Sequence, residues 1–332
     1  MSLTDAAARR TAWYERYERW HGLDRALLRS PAQTWFRHRA AGLLAVLGYH
    51  GVEDPTTFAA HLDRLTETAT PLSVDRVEAA LRDGSPLPSR SVLITFDDGD
   101  PSVLDHALPL LAERGIPAVC FVIAGLVGTD EPFWWDELTH LLSHGGVCRA
   151  IPSGLPAPAA AYALKQLPDR QRRDALAELR ATATTPPPRA RQLTGTDLRA
   201  LEAGGIAIGN HTLTHPCLDR CDDGTLRHEI EDAHRLLTHH LGHPPTAFAY
   251  PNGDFDSRAD ALLQSLGYRS GFLYDHALSD PAGQHPLRLS RLRVSTRTTP
   301  ARFATVLSGL QPAVYRTGLR VVRSVRQVRG RP

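Results

Sequence analysis

Short apolar runs that end abruptly in polar side chains recur along this chain, separated by amphipathic stretches closed by glycine. Ser91-Val-Leu-Ile-Thr-Phe-Asp-Asp-Gly99 is the clearest. A β-branched, apolar segment of this length reads as a buried strand, and it delivers Asp97 and Asp98 at its C-terminal tip. Gly205-Ile-Ala-Ile-Gly-Asn-His-Thr-Leu-Thr-His-Pro216 repeats the pattern with His211 and His215. Further strands are expected over 43–50, 116–123, 246–250, 268–273 and 289–294, and helices over 57–66, 102–114, 225–241 and 258–266. In the third of these helices Leu226, Ile230, Ala233, Leu237 and Leu241 share one side, and Gly242 stops it. Strand–helix alternation with chemical groups at strand C-termini indicates an α/β barrel.

Two imidazoles and one carboxylate make a facial ligand set for a divalent metal, with open positions for water and substrate. One acid is then left over, and a spare carboxylate beside such a site is what hydrolysis needs from a general base. Each pair has a plainer reading. Asp-Asp at a strand end is commonly a turn or a helix cap, and His-x-x-x-His alone is commonly a solvated helix face. Both together, each at the end of an apolar strand and followed by Gly or Pro, are harder to obtain by accident.

The 332 residues have room for one large α/β domain or two small ones, and a hydrophobic content of 42% allows a sizeable core. A formal net charge of +2 gives no global field toward nucleic acid. Cys120, Cys148, Cys217 and Cys221 form no CxxC pair and lack disulfide-scaffold density. Cys217 and Cys221 flank the histidine run, so they read either as free thiols in a reducing compartment or as further metal ligands. The first residues, Met-Ser-Leu-Thr-Asp-Ala-Ala-Ala-Arg-Arg, lack an apolar signal core, and no segment approaches the length of a membrane span. A cytoplasmic protein, with membrane association left open, is therefore expected.

Thr-Phe-Asp-Asp-Gly, His-Thr-Leu-Thr-His-Pro and the later Phe248-Ala-Tyr-Pro-Asn-Gly253 resemble the successive motifs of polysaccharide deacetylases, the carbohydrate esterases with nodulation-deacetylase homology. The resemblance covers roughly residues 43 to 295. It implies a distorted, incomplete (β/α)7 barrel, a metal held by Asp98, His211 and His215, and Asp97 as catalytic base. The implied metal is Zn²⁺, with Co²⁺, Ni²⁺ or Mn²⁺ as alternatives, and the implied partner is an N-acetylated carbohydrate. Many relatives are secreted, so an intracellular chain of this kind points to a biosynthetic precursor rather than finished cell wall.

Two departures from the family pattern stand out. The late Leu-x-x-His-like motif whose histidine protonates the leaving amine has no counterpart after residue 253. Tyr49-His50 instead resembles the Tyr-His of circularly permuted relatives such as the poly-N-acetylglucosamine deacetylases, which makes His50 the candidate acid. The plainer reading of His50 is a strand-end residue bonded to a backbone carbonyl; His276 and His285 are next in line as acids. Ala249 stands where the family often has an arginine that orients the base. Arg291 resembles the arginine of a later motif that takes over this duty, with Arg288 and Arg293 as competitors. The Tyr250 backbone N–H is the candidate oxyanion donor, and Pro251 fixes the turn.

The expected organisation is an N-terminal helical extension over 1–42, a barrel over 43–310 with an insertion over about 125–195, and a basic tail over 311–332. Trp13, Tyr17 and Trp20 fall at helical spacing, suited to packing on the barrel or to a membrane or partner surface. The insertion is expected to carry its own helices, one over 169–180, and to shape the substrate groove. The tail holds Arg316, Arg320, Arg323, Arg326, Arg329 and Arg331 without an acid, and reads as a solvated end or as a contact to anionic lipid or polyanion. Functionally, an intracellular metal-dependent N-deacetylase leads. An O-acetyl esterase or other amide hydrolase on the same site, and a non-catalytic carbohydrate-binding protein, are the alternatives.

Overall fold

The computed structural model describes residues 21–317. Trp13, Tyr17 and Trp20 lie outside the described residues, as do the tail arginines from Arg320 onward.

The apolar runs form strands β1 (Ala45–Tyr49), β2 (Thr70–Pro71), β3 (Ser91–Phe96), β4 (Ala118–Val122), β5 (Ile206–Asn210), β6 (Ala247–Ala249), β7 (Ser270–Phe272) and β8 (Leu292–Arg293). They pair in the order β7-β6-β5-β4-β3-β1-β8, with β2 joined to β3. Every pairing is parallel. The sheet curls so far that one segment touches both of its ends. Leu289 bridges to Phe272 of β7, while Leu292 and Arg293 pair with Leu47 and Gly48 of β1. The result is an incomplete α/β barrel.

Alternation along the strands divides the core in two, because successive side chains point to opposite faces. Leu44, Val46, Leu93, Val119, Phe121, Ala249, Phe272 and Leu289 fill the interior. Leu47, Tyr49, Ile94, Phe96, Cys120 and Ile208 face outward, against helix residues such as Phe58, Leu62, Leu237 and Phe303. Fully burying one such side chain is worth about 1.5–3 kcal/mol.

The helices start and stop where local chemistry dictates. Asp54 accepts from the amides of Thr56 and Thr57 and Pro55 occupies the first turn, so that helix begins two residues earlier than expected and runs Pro55–Thr68. Helix Asp223–Leu241 is capped by Asp222 and ends at Gly242, whose φ is 84°. The segment expected as one helix over 102–114 opens with a π-turn, Val103–Ala107, before Leu108–Glu113. Pro109 offers no N–H to continue an α-ladder from that turn.

The structure adds helices Val74–Asp83, Gly195–Ala203 and Pro300–Leu307, which have no counterpart in the sequence reading. The insertion folds into helices Trp134–Ser143, Ala157–Lys165 and Asp169–Thr182. They share a small core of their own, built on Trp134, Leu138, Leu141, Leu164, Leu176 and Leu179. Helices His21–Arg29 and Pro31–Ala40 are tied to Pro300–Leu307: Arg302 Nε donates to Asp24 at 2.9 Å, and Gln33 Nε2 to the Ala304 carbonyl at 3.2 Å.

Candidate active site

The C-terminal tip of β3 sends two consecutive carboxylates to two different jobs. Thr95 and Asp97 point to the barrel interior, where they meet Arg291, a guanidinium with no solvent exposure. Arg291 Nη1 donates to Asp97 Oδ1 at 2.6 Å and Nη2 to Oδ2 at 2.9 Å. Its Nε donates to the Leu273 carbonyl at 2.6 Å, and Nη1 also reaches Thr95 Oγ1 at 3.2 Å. The guanidinium lies between the rings of Phe121 and Tyr274, 5.5 and 5.2 Å from their centroids. A bidentate fork of this kind fixes both the position and the charge of a carboxylate. The competing arginines are engaged elsewhere: Arg288 with Asp260, and Arg293 with the Tyr274 carbonyl.

Asp98 turns the other way because its backbone is left-handed, with φ 72°, and Gly99 follows at 81°. Its Oδ1 is buried without a hydrogen-bond partner. His211 Nε2 stands 3.4 Å from that oxygen and His215 Nε2 3.5 Å. These separations exceed a good hydrogen bond. They match the edges between donors that share one ion at about 2.0–2.2 Å. The three donors also lie within 4.8 Å of one another. An orphaned, buried oxygen facing two imidazole nitrogens thus fits a divalent cation.

The protonation pattern is set by the surroundings. Burial works against an ionised Asp98, yet the imidazoles of His211, His215 and His50 outweigh it and hold the carboxyl far below its usual range. Burial also opposes charge on His211, but Asp97 and Asp98 prevail and its pKa rises. His211 Nδ1 donates to the Ala249 carbonyl at 2.8 Å, which turns Nε2 toward Asp98. Burial drives His215 well below the usual imidazole range.

The histidine pair does not lie on a helix. Residues 211–215 form a loop in which Thr212 and His215 take left-handed φ values of 68° and 59°. Buried acceptors hold it in that shape. Asn210 Oδ1 receives the Thr212 amide at 2.7 Å, and Thr212 Oγ1 receives the His215 amide at 3.1 Å. Glu229 takes the Leu213 and Thr214 amides at 3.0 and 2.8 Å, and the Thr214 hydroxyl at 2.7 Å. Sequence reasoning missed Glu229. The only signal was an acid on the otherwise apolar side of its helix.

His50 is exposed at the end of β1, and its ring meets the edge of Tyr274 at 5.5 Å. It lines one cleft of about 760 Å³ with Asp97, Asp98, His211 and His215. Two glycines make room for the Tyr274 wall: a Cβ at Gly48 would stand 2.7 Å from the ring, and one at Gly253 2.3 Å from the Tyr274 amide. The insertion supplies the opposite rim through Phe133, Trp135, Tyr162 and Lys165. Trp135 meets the His215 ring at 5.1 Å, and Lys165 bonds to Asn252.

Several expectations require correction. The Tyr250 amide is not an oxyanion donor, because it donates to the Phe272 carbonyl at 3.0 Å, continuing the β6–β7 ladder. The reserve acids are misplaced as well. His276 is buried between Gln311 and the Arg293 amide, and His285 caps the turn Pro286–Arg288; neither lines the cleft. Cys217 and Cys221 are free, and burial pushes both thiols up to about 12; Cys217 has the carboxylates of Asp219 and Asp254 close by.

The family model for polysaccharide deacetylase matches residues 84–150 and 156–271, more than half of the chain. YxkH of Bacillus subtilis (strain 168) is 19% identical over 287 residues, spanning 84% of this chain and 81% of that protein. The poly-β-1,6-N-acetyl-D-glucosamine N-deacetylase of Staphylococcus aureus (strain N315) is 46% identical over 44 residues, which are 13% of this chain and 15% of the relative. Among solved structures, the Streptococcus pyogenes deacetylase PplD in complex with acetate superposes with a TM-score of 0.56 at 19% identity, covering 80% of this chain and 98% of PplD. IcaB from Ammonifex degensii gives 0.55 at 22% identity, covering 81% and 97%.

Proposed function

Because this chain belongs to the polysaccharide deacetylase family of hydrolases, we propose that it is a metal-dependent N-deacetylase acting on an N-acetylated amino sugar in a glycan, glycolipid or glycosylated-metabolite pathway. The observation that carries this reading is the division of labour at Asp97-Asp98. One carboxylate is clamped by Arg291, and the other faces His211 and His215 with an unpaired oxygen.

In this reading Asp98, His211 and His215 hold the ion. A bound divalent cation, taken to be zinc from its nitrogen–oxygen donor set, supplies polarisation of the acetyl carbonyl and a lowered pKa for water. Asp97 accepts the proton of the attacking water, and Arg291 holds that carboxylate in place beforehand. His50, on the open side of the cleft, delivers a proton to the departing nitrogen. The cleft volume leaves room for a sugar together with part of what it is attached to.

The names of similar proteins support an amide substrate: the Staphylococcus aureus relative is an N-deacetylase of poly-β-1,6-N-acetyl-D-glucosamine. An O-acetyl ester is the second reading, since the same water attack serves an alkoxide that leaves without a proton donor. A reducing, intracellular setting belongs to the proposal too, supported by four unpaired cysteines. Among the described residues no helix is long and apolar enough to cross a membrane. The decisive experiment measures acetate release from N- and O-acetylated sugars, nucleotide sugars and lipid-linked sugars, before and after chelation and with metals added back. A chain that releases no acetate from any of them with metal restored would overturn the reading.

A further inference from the structure

The end of the barrel opposite the cleft carries an unusual surface. Helices His21–Arg29 and Pro31–Ala40 lie there, beside the starts of β1 and β3. Residues 21–40 include four arginines, two histidines and one acid. That acid, Asp24, is buried and bound to Arg302, so it offsets none of the surface charge. Arg25, Arg29, Arg37 and Arg39 are all exposed, and Arg90 is exposed beside them at the rim of a small cavity of about 80 Å³. No carboxylate pairs with any of these five among the described residues. The whole chain is nearly neutral, so the charge is local.

The same surface exposes apolar bulk. Trp35 is 56% exposed and Leu28 37%. Helical spacing places Trp35 on the face away from Gln33, which is buried against the barrel. Among the described residues, its indole meets the Phe36 ring edge, and the Arg39 guanidinium lies 5.6 Å from the ring centroid. A tryptophan held outward among unpaired arginines suits the boundary between acyl chains and anionic headgroups, where the ring is buried and the guanidiniums meet phosphate.

We infer that this basal surface is a docking site for an anionic lipid bilayer, with Trp35 as the apolar anchor and Arg25, Arg29, Arg37, Arg39 and Arg90 as headgroup contacts. The cleft opens at the other end of the strands, so docking leaves it free.

The test is cosedimentation of the full chain with phosphatidylcholine vesicles, with and without phosphatidylglycerol. Binding should require phosphatidylglycerol and weaken with salt. Arg37→Gln with Arg39→Gln should weaken it on the order of fivefold per arginine removed. Trp35→Ala should weaken it while Trp35→Phe retains most of it, which separates a bilayer from a purely electrostatic polyanion. All variants should keep the wild-type melting temperature and cleft activity. Equal partitioning of wild type and variants would overturn the inference, whether because no vesicle binds or because the terminal segments alone bind. So would a wild-type dimer that both variants dissolve, since a second copy would then cover this surface.

Discussion

Arg291 and Asp97, 194 positions apart in the chain, meet as a two-pronged ion pair whose guanidinium is fully buried. Asp97 lines the cleft while Arg291 lies behind it, held also by the Leu273 carbonyl, Thr95 and two aromatic faces. A buried carboxylate at this place is tolerable only while its counter-charge is present.

Removing that counter-charge should therefore cost stability as well as rate. Arg291→Met should lower the unfolding free energy by about 3–5 kcal/mol, the usual effect of stranding one member of a buried pair. Adding Asp97→Asn should restore much of the stability but none of the activity. Denaturant titration of the two single variants and the double variant reads this directly; strictly additive losses would mean that the pair is not coupled.

Asp97→Asn alone should keep its metal and lose on the order of 10²–10⁴ in rate, the range for a positioned general base. Metal content and turnover are to be measured on the same preparation. Parallel loss of both would make Asp97 part of the metal site instead.

The double variant His211→Ala, His215→Ala should purify without metal, since only Asp98 would remain of the donor set. Elemental analysis decides the matter, and full occupancy in the variant would place the ion elsewhere.

His50→Ala should damage cleavage of an amide far more than cleavage of an activated acetate ester, because an amine leaves poorly without a proton and an alkoxide needs less help. Wild-type rates on both substrates would reduce His50 to a bystander at the rim. In that event the acid must come from another cleft residue, as His276 and His285 are out of reach.

His276 instead governs an acid sensitivity of the fold. Burial pushes its pKa down to about 4, and the ring is satisfied only when neutral, donating to Gln311 and accepting from the Arg293 amide. The unfolded chain takes up this proton near pH 6.5, whereas the folded chain does not until about 4. Stability is thus fully present above 6.5 and is lost as pH falls toward 4, by about 3 kcal/mol in all. Urea midpoints across that window should fall more steeply for the wild type than for His276→Gln, and identical slopes would remove His276 from the account.

The sequence exposed whatever depends on neighbouring residues. Apolar runs with β-branched residues marked the strands, and polar groups at their ends marked the mouth where His50, Asp98, His211 and His215 converge. The helices in the Pro- and Ala-rich insertion were less legible, because their apolar faces answer to one another rather than to the barrel. The left-handed loop at His211–His215 was hidden for a different reason. Its shape depends on Glu229, an acceptor on a later helix that no local pattern links to the histidines. The Tyr250 amide was misread because strand pairing decides which amides face a neighbour, and that pairing was unknown. Arg291 was reached only through family resemblance; nothing in its neighbourhood tells it apart from Arg288 and Arg293.

The segment that touches both ends of the sheet also carries Arg291, and this orders events during synthesis. A growing chain has made Asp98, His211 and His215 long before residues 289–293 emerge. Until they do, the barrel has an open seam and the Asp97 carboxylate has no guanidinium. The Asp97–Arg291 clamp therefore cannot form on an unfinished protein, and a chain truncated before residue 289 should show no turnover. Catalytic competence is thereby coupled to arrival of the last strand.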